Sequence, residues 1–352
     1  MRMLDTDTGR FVDITDWRKA RYAILSHTWE GAEQTCQEVR EIQKNDSALS
    51  QKVRRACEVA RSHGYRYLWV DSCCIDKTSS SELSESIKWM YVWYRDASVC
   101  YAYLSDVEMD PEQDTVKLRL RVSRWFTRGW TLQELIAPRY IVFLSKEWQI
   151  IGTKTTLVAD IELVTGIEND ILTHTKSLDE VPVARRMCWV ATRQTTRVED
   201  EAYCLLGIFD INMPTLYGEG ERALRRLQEE ILQRIPDQSI FVWDAVHPYT
   251  FRFFEASDGA TDDAHSGLDL TSLHPTIFAQ TFHEFFWAGY VSPVPHDLCQ
   301  RYLGLTELDY PPPDYTQSPY GLRTRFPMLS IAKCFPSRPL RAVDPKGLTL
   351  QC

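Results

Sequence analysis

A chain of 352 residues has room for about two domains at roughly 100–200 residues each, and 44% hydrophobic with 25% charged residues is an ordinary globular composition. The formal net charge of −9 argues against a general nucleic-acid binder, which needs a basic face to displace counterions from phosphates. The stretch "ERALRRLQEEILQR" alternates its signs and reads as a solvated helix face.

The N-terminus, "MRMLDTDTGRFVDITDW", lacks the apolar run of a signal peptide, and no later segment approaches the ~20 apolar residues that cross a bilayer. A soluble, cytoplasmic protein with no membrane span is expected. The ten cysteines are dispersed, and apart from the vicinal Cys73-Cys74 pair they show neither CxxC spacing nor a dense disulfide pattern, so reduced thiols are expected.

In chain order, Tyr22 to Leu25 form a compact apolar run ending at polar Ser26, which reads as a buried strand. In "SQKVRRACEVARSHG" Val53, Ala56, Cys57 and Ala60 share one helical face, and Gly64 can supply a left-handed stop. "YRYLWVDSC" is a second strand. "SSSELSESIKWMYVWYRDA" is a second helix, with Leu83, Ile87, Met90, Tyr91 and Tyr94 inward and a capping box between Ser79 and Glu82. "SVCYAYL" is a third strand, the acidic "SDVEMDPEQD" a loop, residues 130 to 137 a short helix and "RYIVFLS" a fourth strand. The alternation implies a parallel sheet with helices on both faces.

Open sheets of this kind bind ligands at the carboxyl ends of their strands. Ser26, His27, Thr28 and Trp29 follow the first strand, Asp71, Ser72, Cys73 and Cys74 the second, and Glu134 lies on the helix before the fourth. An acid among Trp, Leu and Ile needs a reason, and pairing with Arg128 or Arg139 is one.

"YAILSHTW", "YLWVDSCCIDK" and "RGWTLQELIAPR" resemble the three characteristic blocks of the fungal HET, or heterokaryon incompatibility, domain, over roughly residues 20 to 145. "TTRVEDEAYCLLGIFDINMPTLYGEGERALRRLQEEIL" resembles the segment that often follows it. The resemblance implies nonself recognition and regulated cell death. HET domains are similar in turn to TIR domains, which implies a TIR/flavodoxin-like sheet, and "WTLQEL" is similar to the stretch carrying the catalytic glutamate of NAD-cleaving TIR domains. Glu134 would be that glutamate, with Ser26, Trp29 and Asp71 near the ligand. Thr131 departs from the pattern by replacing the TIR cysteine, and Glu30 by standing where a HET glycine is usual.

The bond broken in NAD joins ribose to an already cationic nicotinamide, so no strong general acid is needed. A fixed negative charge near the oxocarbenium-like transition state and hydrogen bonds to the ribose hydroxyls are what help. NAD is thus a substrate, and no cofactor is expected. Trp29 and Trp130 offer faces for flat rings, although core packing is the commoner use of Trp. His27 with Cys73 or Cys74 could form a nucleophilic pair, against which stand the absence of a protease signature and the frequency of inert buried cysteines. Spacing for a metal is lacking. Asp71 at a strand end also fits a phospho-acceptor receiver, but Ser-His-Thr-Trp after the first strand lacks the acids that would hold Mg²⁺. The rival function is a noncatalytic TIR-like module signalling by self-association. An upstream nonself-sensing partner would precede either.

Residues 1–150 are therefore expected to form the HET domain, 151–245 a helical extension packed on it through Ala223, Leu224, Leu227 and Ile231, and 246–352 a Pro-rich, β-leaning region. In the extension, Tyr203, Tyr217 and nearby glycines could line a groove, with core packing the alternative. "FPMLSIAKCF" and "GLTLQC" look β-like and "LDYPPPDYTQSPYG" reads as an exposed loop. No P-loop is present in the sequence.

Overall fold

The computed structural model describes residues 1–45, 48–235, 237–243 and 278–292, with a hairpin of strands Tyr315–Ser318 and Gly321–Thr324. It divides into two units, Met1–Leu178 with Arg193–Ala223, and Asp179–Thr192 with Leu224–Cys352.

The first unit is built on seven strands: β1 (Arg2–Asp5), β2 (Phe11–Asp13), β3 (Tyr22–His27), β4 (Tyr67–Val70), β5 (Val99–Tyr103), β6 (Ile141–Leu144) and β7 (Ile150–Thr153). They lie in the order β2-β1-β4-β3-β5-β6-β7. The four central strands, β4-β3-β5-β6, are mutually parallel, with Leu25 opposite Val70 and Ser26 opposite Ala102. Every residue of β3 and β5 is buried, so both faces of the sheet centre are covered, as a parallel sheet requires.

The expected all-parallel sheet is in fact mixed. β1 pairs antiparallel with β4, β2 with β1, and β7 with β6. Short connections dictate this for the β1–β2 and β6–β7 pairs, because strands joined by a tight turn must run antiparallel. Between β1 and β2, Asp5 accepts hydrogen bonds from the Thr8 and Asp7 amides at 3.0 and 3.1 Å, and Gly9 takes the left-handed backbone at φ 67°.

Helices α1 (Cys36–Asn45), α2 (Gln51–Ser62), α3 (Asp71–Cys74), α4 (Ser80–Asp96), α5 (Gln113–Arg121) and α6 (Thr131–Ile136) lie between the strands, and α7 (Val158–Thr165) and α8 (Asn169–Leu172) follow β7. The apolar face expected for α2 is buried at all four positions, Ser50 caps its start, and Gly64 stands beyond its end at φ 79°. In α4, Ile87, Met90 and Tyr94 are buried while Leu83 and Tyr91 are half-buried. Its capping box is one-sided. Ser79 accepts from the Glu82 amide, but the Glu82 carboxylate pairs with Arg2 at 2.8 Å and accepts the Asp76 amide. The acidic loop gives way at Gln113 to α5, whose narrow buried stripe of Val116 and Leu120 leaves little periodic signal.

The second unit contains α9 (Val183–Cys188), while α10 (Asp200–Tyr203) belongs to the first. The Val183 and Ala184 amides at the start of α9 are taken by Asp237 Oδ2 and Ser239 Oγ, and α9 packs on the 3₁₀ segment Phe282–Tyr290. Ala223, Leu224, Leu227 and Ile231 of α11 (Arg222–Arg234) are all buried. Within "LDYPPPDYTQSPYG", Tyr315–Ser318 is a strand paired with Gly321–Thr324 rather than loop. "FPMLSIAKCF" and "GLTLQC" lie outside the described residues. The described cysteines are free thiols, and no described helix is long and apolar enough to cross a membrane.

Gly207 lies against α4: a Cβ there would sit 2.2 Å from Tyr91 Cβ. Gly207→Ala is expected to destabilise the protein by about 1–3 kcal/mol, because the obstacle is the root of a side chain that cannot swing away. Urea unfolding of parent and variant measures it.

Candidate functional site

Ser26 and His27 close β3, Asp71 opens α3 directly after β4, and Glu134 lies on α6. The carboxyl ends of adjacent strands thus deliver three of the sequence-selected residues. β3 runs one residue beyond Ser26, where the apolar pattern ends it, because the His27 backbone stays in register with Tyr103.

Glu134 is buried, and its hydrogen-bonding partners are hydroxyls. Ser26 Oγ donates to Glu134 Oε2, and Ser26 Oγ itself accepts from Trp125 Nε1 at 2.7 Å. The Tyr94 hydroxyl is a second partner and also donates to the Leu25 carbonyl at 3.2 Å. Neither arginine considered from sequence is paired with it: Arg139 is exposed over the Tyr140 ring, and Arg128 acts on Glu134 only through its field. Burial pushes the Glu134 carboxyl up to about 8 and the Asp71 charge adds to that, while Ser26, Arg128 and Tyr94 pull the other way.

The remaining rim is charged. The buried His27 ring has Nδ1 3.7 Å from Asp71 Oδ1 and Nε2 3.5 Å from Glu33 Oε2, and Lys52 pairs with Glu33 at 2.6 Å. Burial opposes ionisation of Glu33, yet hydrogen bonds from His27 and Lys52 hold it down at about 2. Trp29 is 39% exposed; its Nε1 donates to Asp71 Oδ2 at 3.2 Å, and Lys77 Nζ stands 3.6 Å over its ring. Thr28 is buried between these two residues in sequence. Glu30 accepts from Ser105 Oγ at 2.6 Å and pairs with Arg124 at 2.9 Å, and Gly31 supplies the left-handed turn one residue later, at φ 67°.

Buried cations meet both ends of α6. At the start, Arg193 donates to the Arg128 carbonyl and to Thr131 Oγ1, each at 2.9 Å. At the end, Lys154 Nζ donates to the Ile136 and Pro138 carbonyls at 3.2 and 2.9 Å, and burial pushes its ammonium down to about 7. Trp130 at the helix start is half-buried and bonds to Asp200, which also accepts from the Tyr217 hydroxyl at 2.8 Å. Tyr203 is buried and bonds to Glu219 at 2.8 Å, so both tyrosines of the extension are engaged internally.

Cys73 is not paired with His27. Its Sγ lies 3.9 Å from the Val70 carbonyl, and the Cys74 thiol and burial push it above an ordinary thiol, while the His27 nitrogens face carboxylates. Sequence reasoning did not single out Trp125, Arg193 or Lys154 for the site. Trp125 stands within the same short stretch as Glu134, but nothing local marks the two cations.

The titration of Glu134 has a readable consequence. A carboxyl at about 8 in the folded protein and 4.5 ordinarily keeps a proton that the unfolded chain gives up, so the folded state loses stability as pH rises through that window. Glu134→Gln removes the loss: by urea unfolding the variant should gain on the parent by up to about 1.4 kcal/mol per pH unit between the two values. A difference constant across pH 5 to about 8 would show that Glu134 does not titrate there.

Residues 22–116 match the family model described as heterokaryon incompatibility protein (HET), and residues 222–349 one described as a domain of unknown function, DUF8212. The vegetative incompatibility protein HET-E-1 of Podospora anserina is 43% identical over 244 residues, covering 66% of this chain and 18% of that protein's length. The chain therefore spans less than a fifth of this relative. No solved structure is a significant match. Residues 22–116 are thus similar to the heterokaryon incompatibility family, and the chain is similar over 244 residues to a fungal vegetative incompatibility protein.

Proposed function

We propose that the chain acts in nonself recognition as a cell-death effector whose HET region is TIR-like and cleaves NAD between nicotinamide and ribose. The observation that carries this reading is the buried Glu134 carboxyl, presented to Ser26 and Tyr94 rather than neutralised by an arginine. A fold that needed Glu134 only for stability would be expected to pair it with a cation. The order of the parallel strands, second-first-third-fourth along the sheet, is that of flavodoxin-like folds and supports the TIR-like reading, because ligands in such sheets sit at the carboxyl ends of the strands.

In this reading the C1′–N bond breaks with its electron pair leaving on nicotinamide. The Glu134 carboxylate stabilises the positive charge on the ribose, and water adds at C1′, giving up its proton. Ser26 orients the carboxylate, and the exposed Trp29 face would receive a flat ring. Only ionised Glu134 serves, so kcat/KM should rise with pH, reach half its plateau near 8 and level off above it. The cationic nicotinamide favours that ionised form once bound, so kcat should level off at lower pH.

The test is NAD turnover by purified protein. Glu134→Gln should remove turnover and cell killing while the protein stays folded, since Gln keeps size and hydrogen-bonding reach but not the charge. A folded Gln variant that turns over NAD at the parent rate sinks the assignment.

The alternative, a noncatalytic module signalling through self-association, predicts no turnover by the parent at any concentration. If the site is completed by assembly, turnover per molecule should climb as light scattering records oligomer formation. A flat value across that transition counts against assembly control.

A further inference from the structure

We propose that Arg193, which lies far beyond the residues matched to the HET family, is a positioning residue for Glu134, and that the segment it begins belongs to the same site. The inference rests on the reading of Glu134 as the reacting group.

Its ground is one continuous chain of buried hydrogen bonds. Arg193 is 1% exposed, and from one guanidinium nitrogen it donates to the Arg128 carbonyl and Thr131 Oγ1, each at 2.9 Å. Thr131 Oγ1 donates to the Trp125 carbonyl at 2.5 Å. The indole of that same Trp125 donates to Ser26 Oγ, and Ser26 donates to Glu134. A displacement at Arg193 therefore passes through Trp125 to Ser26, one of the two groups that hold the carboxyl.

The backbone fastens the same two segments together. Gln194 N donates to Thr127 O at 2.7 Å and Gly129 N to Gln194 O at 2.8 Å, and a Cβ at Gly129 would meet Thr195 Cγ2 at 2.6 Å. This close approach sets where α6 begins. A buried cation used only for packing could be replaced by an apolar side chain at little cost. Here one buried nitrogen bridges a carbonyl and a hydroxyl, bonds that an apolar side chain cannot make and that a Lys ammonium, lacking the planar guanidinium geometry, can restore only in part.

Asp71, Arg128, Tyr94 and Cys100 also act electrostatically at Glu134, so its titration senses any movement within this cluster. Arg193 adds its own field there.

The experiment compares the full chain with Thr131→Val, Arg193→Lys and Arg193→Met. Carbon-13 NMR of Glu134 gives its titration midpoint, and the Trp125 indole N–H resonance reports the bond to Ser26. Expected are a displaced Trp125 resonance and a shifted Glu134 midpoint in Thr131→Val and Arg193→Met. NAD turnover should fall at least about tenfold through kcat rather than KM, with partial recovery in Arg193→Lys. Thr131→Val keeps the buried charge, so it decides the question even if Arg193→Met fails to fold. Folded variants whose Glu134 midpoint and Trp125 resonance stay at parental values overturn the proposal. A parent that leaves NAD intact overturns the proposed function instead, while the two NMR readouts still judge Arg193.

Discussion

The burial of one carboxyl on a six-residue helix is the constraint around which the first unit is arranged. A carboxyl away from water needs hydrogen-bonding partners, and an ionised one needs compensating charge or dipoles. Here Ser26 and Tyr94 meet the first need, and no ion pair with an arginine meets the second, which is why burial and the nearby Asp71 drive Glu134 up to about 8. To hold Ser26 in place the protein spends the indole N–H of the fully buried Trp125. The helix bearing the acid is too short to be stable alone, and its ends are fixed by buried Arg193 and Lys154.

The rim contrasts with this centre. Charges there are coupled in sequence from Lys52 through Glu33 and His27 to Asp71, and Asp71 in turn holds the Trp29 indole. Glu33 stays ionised because its partners outweigh its burial, whereas Glu134 keeps its proton near neutrality. Environment thus pushes two carboxyls of one unit in opposite directions, Glu33 below and Glu134 above the ordinary value.

The mixed edges of the sheet serve the centre without entering it. β1 covers the outer side of β4, and its Arg2 reaches Glu82 at the start of α4, the helix that carries Tyr94. The hairpin partner of β6, β7, leads directly to Lys154 and so to the far end of α6. Elements that look peripheral in the topology therefore hold the helices on which the site is mounted.

The four parallel strands, the faces of α2 and most of α4, and the positions of Ser26 and Asp71 after their strands are legible in the sequence, because those features follow from local periodicity and from the carboxyl-end rule for open sheets; the sequence is less informative elsewhere. It could not determine the antiparallel edges, since strands of three or four residues carry too few alternations to read. The surroundings of Glu134 come from long-range packing. Trp125, Arg193 and Lys154 stand at the site through hydrogen bonds that join residues 16 to 99 positions apart, and no local pattern records such a bond. The same tertiary packing decided that Glu134 faces hydroxyls rather than Arg128 or Arg139: both arginines are near in sequence, but side-chain direction on the folded backbone, not proximity along the chain, sets which group a buried acid meets.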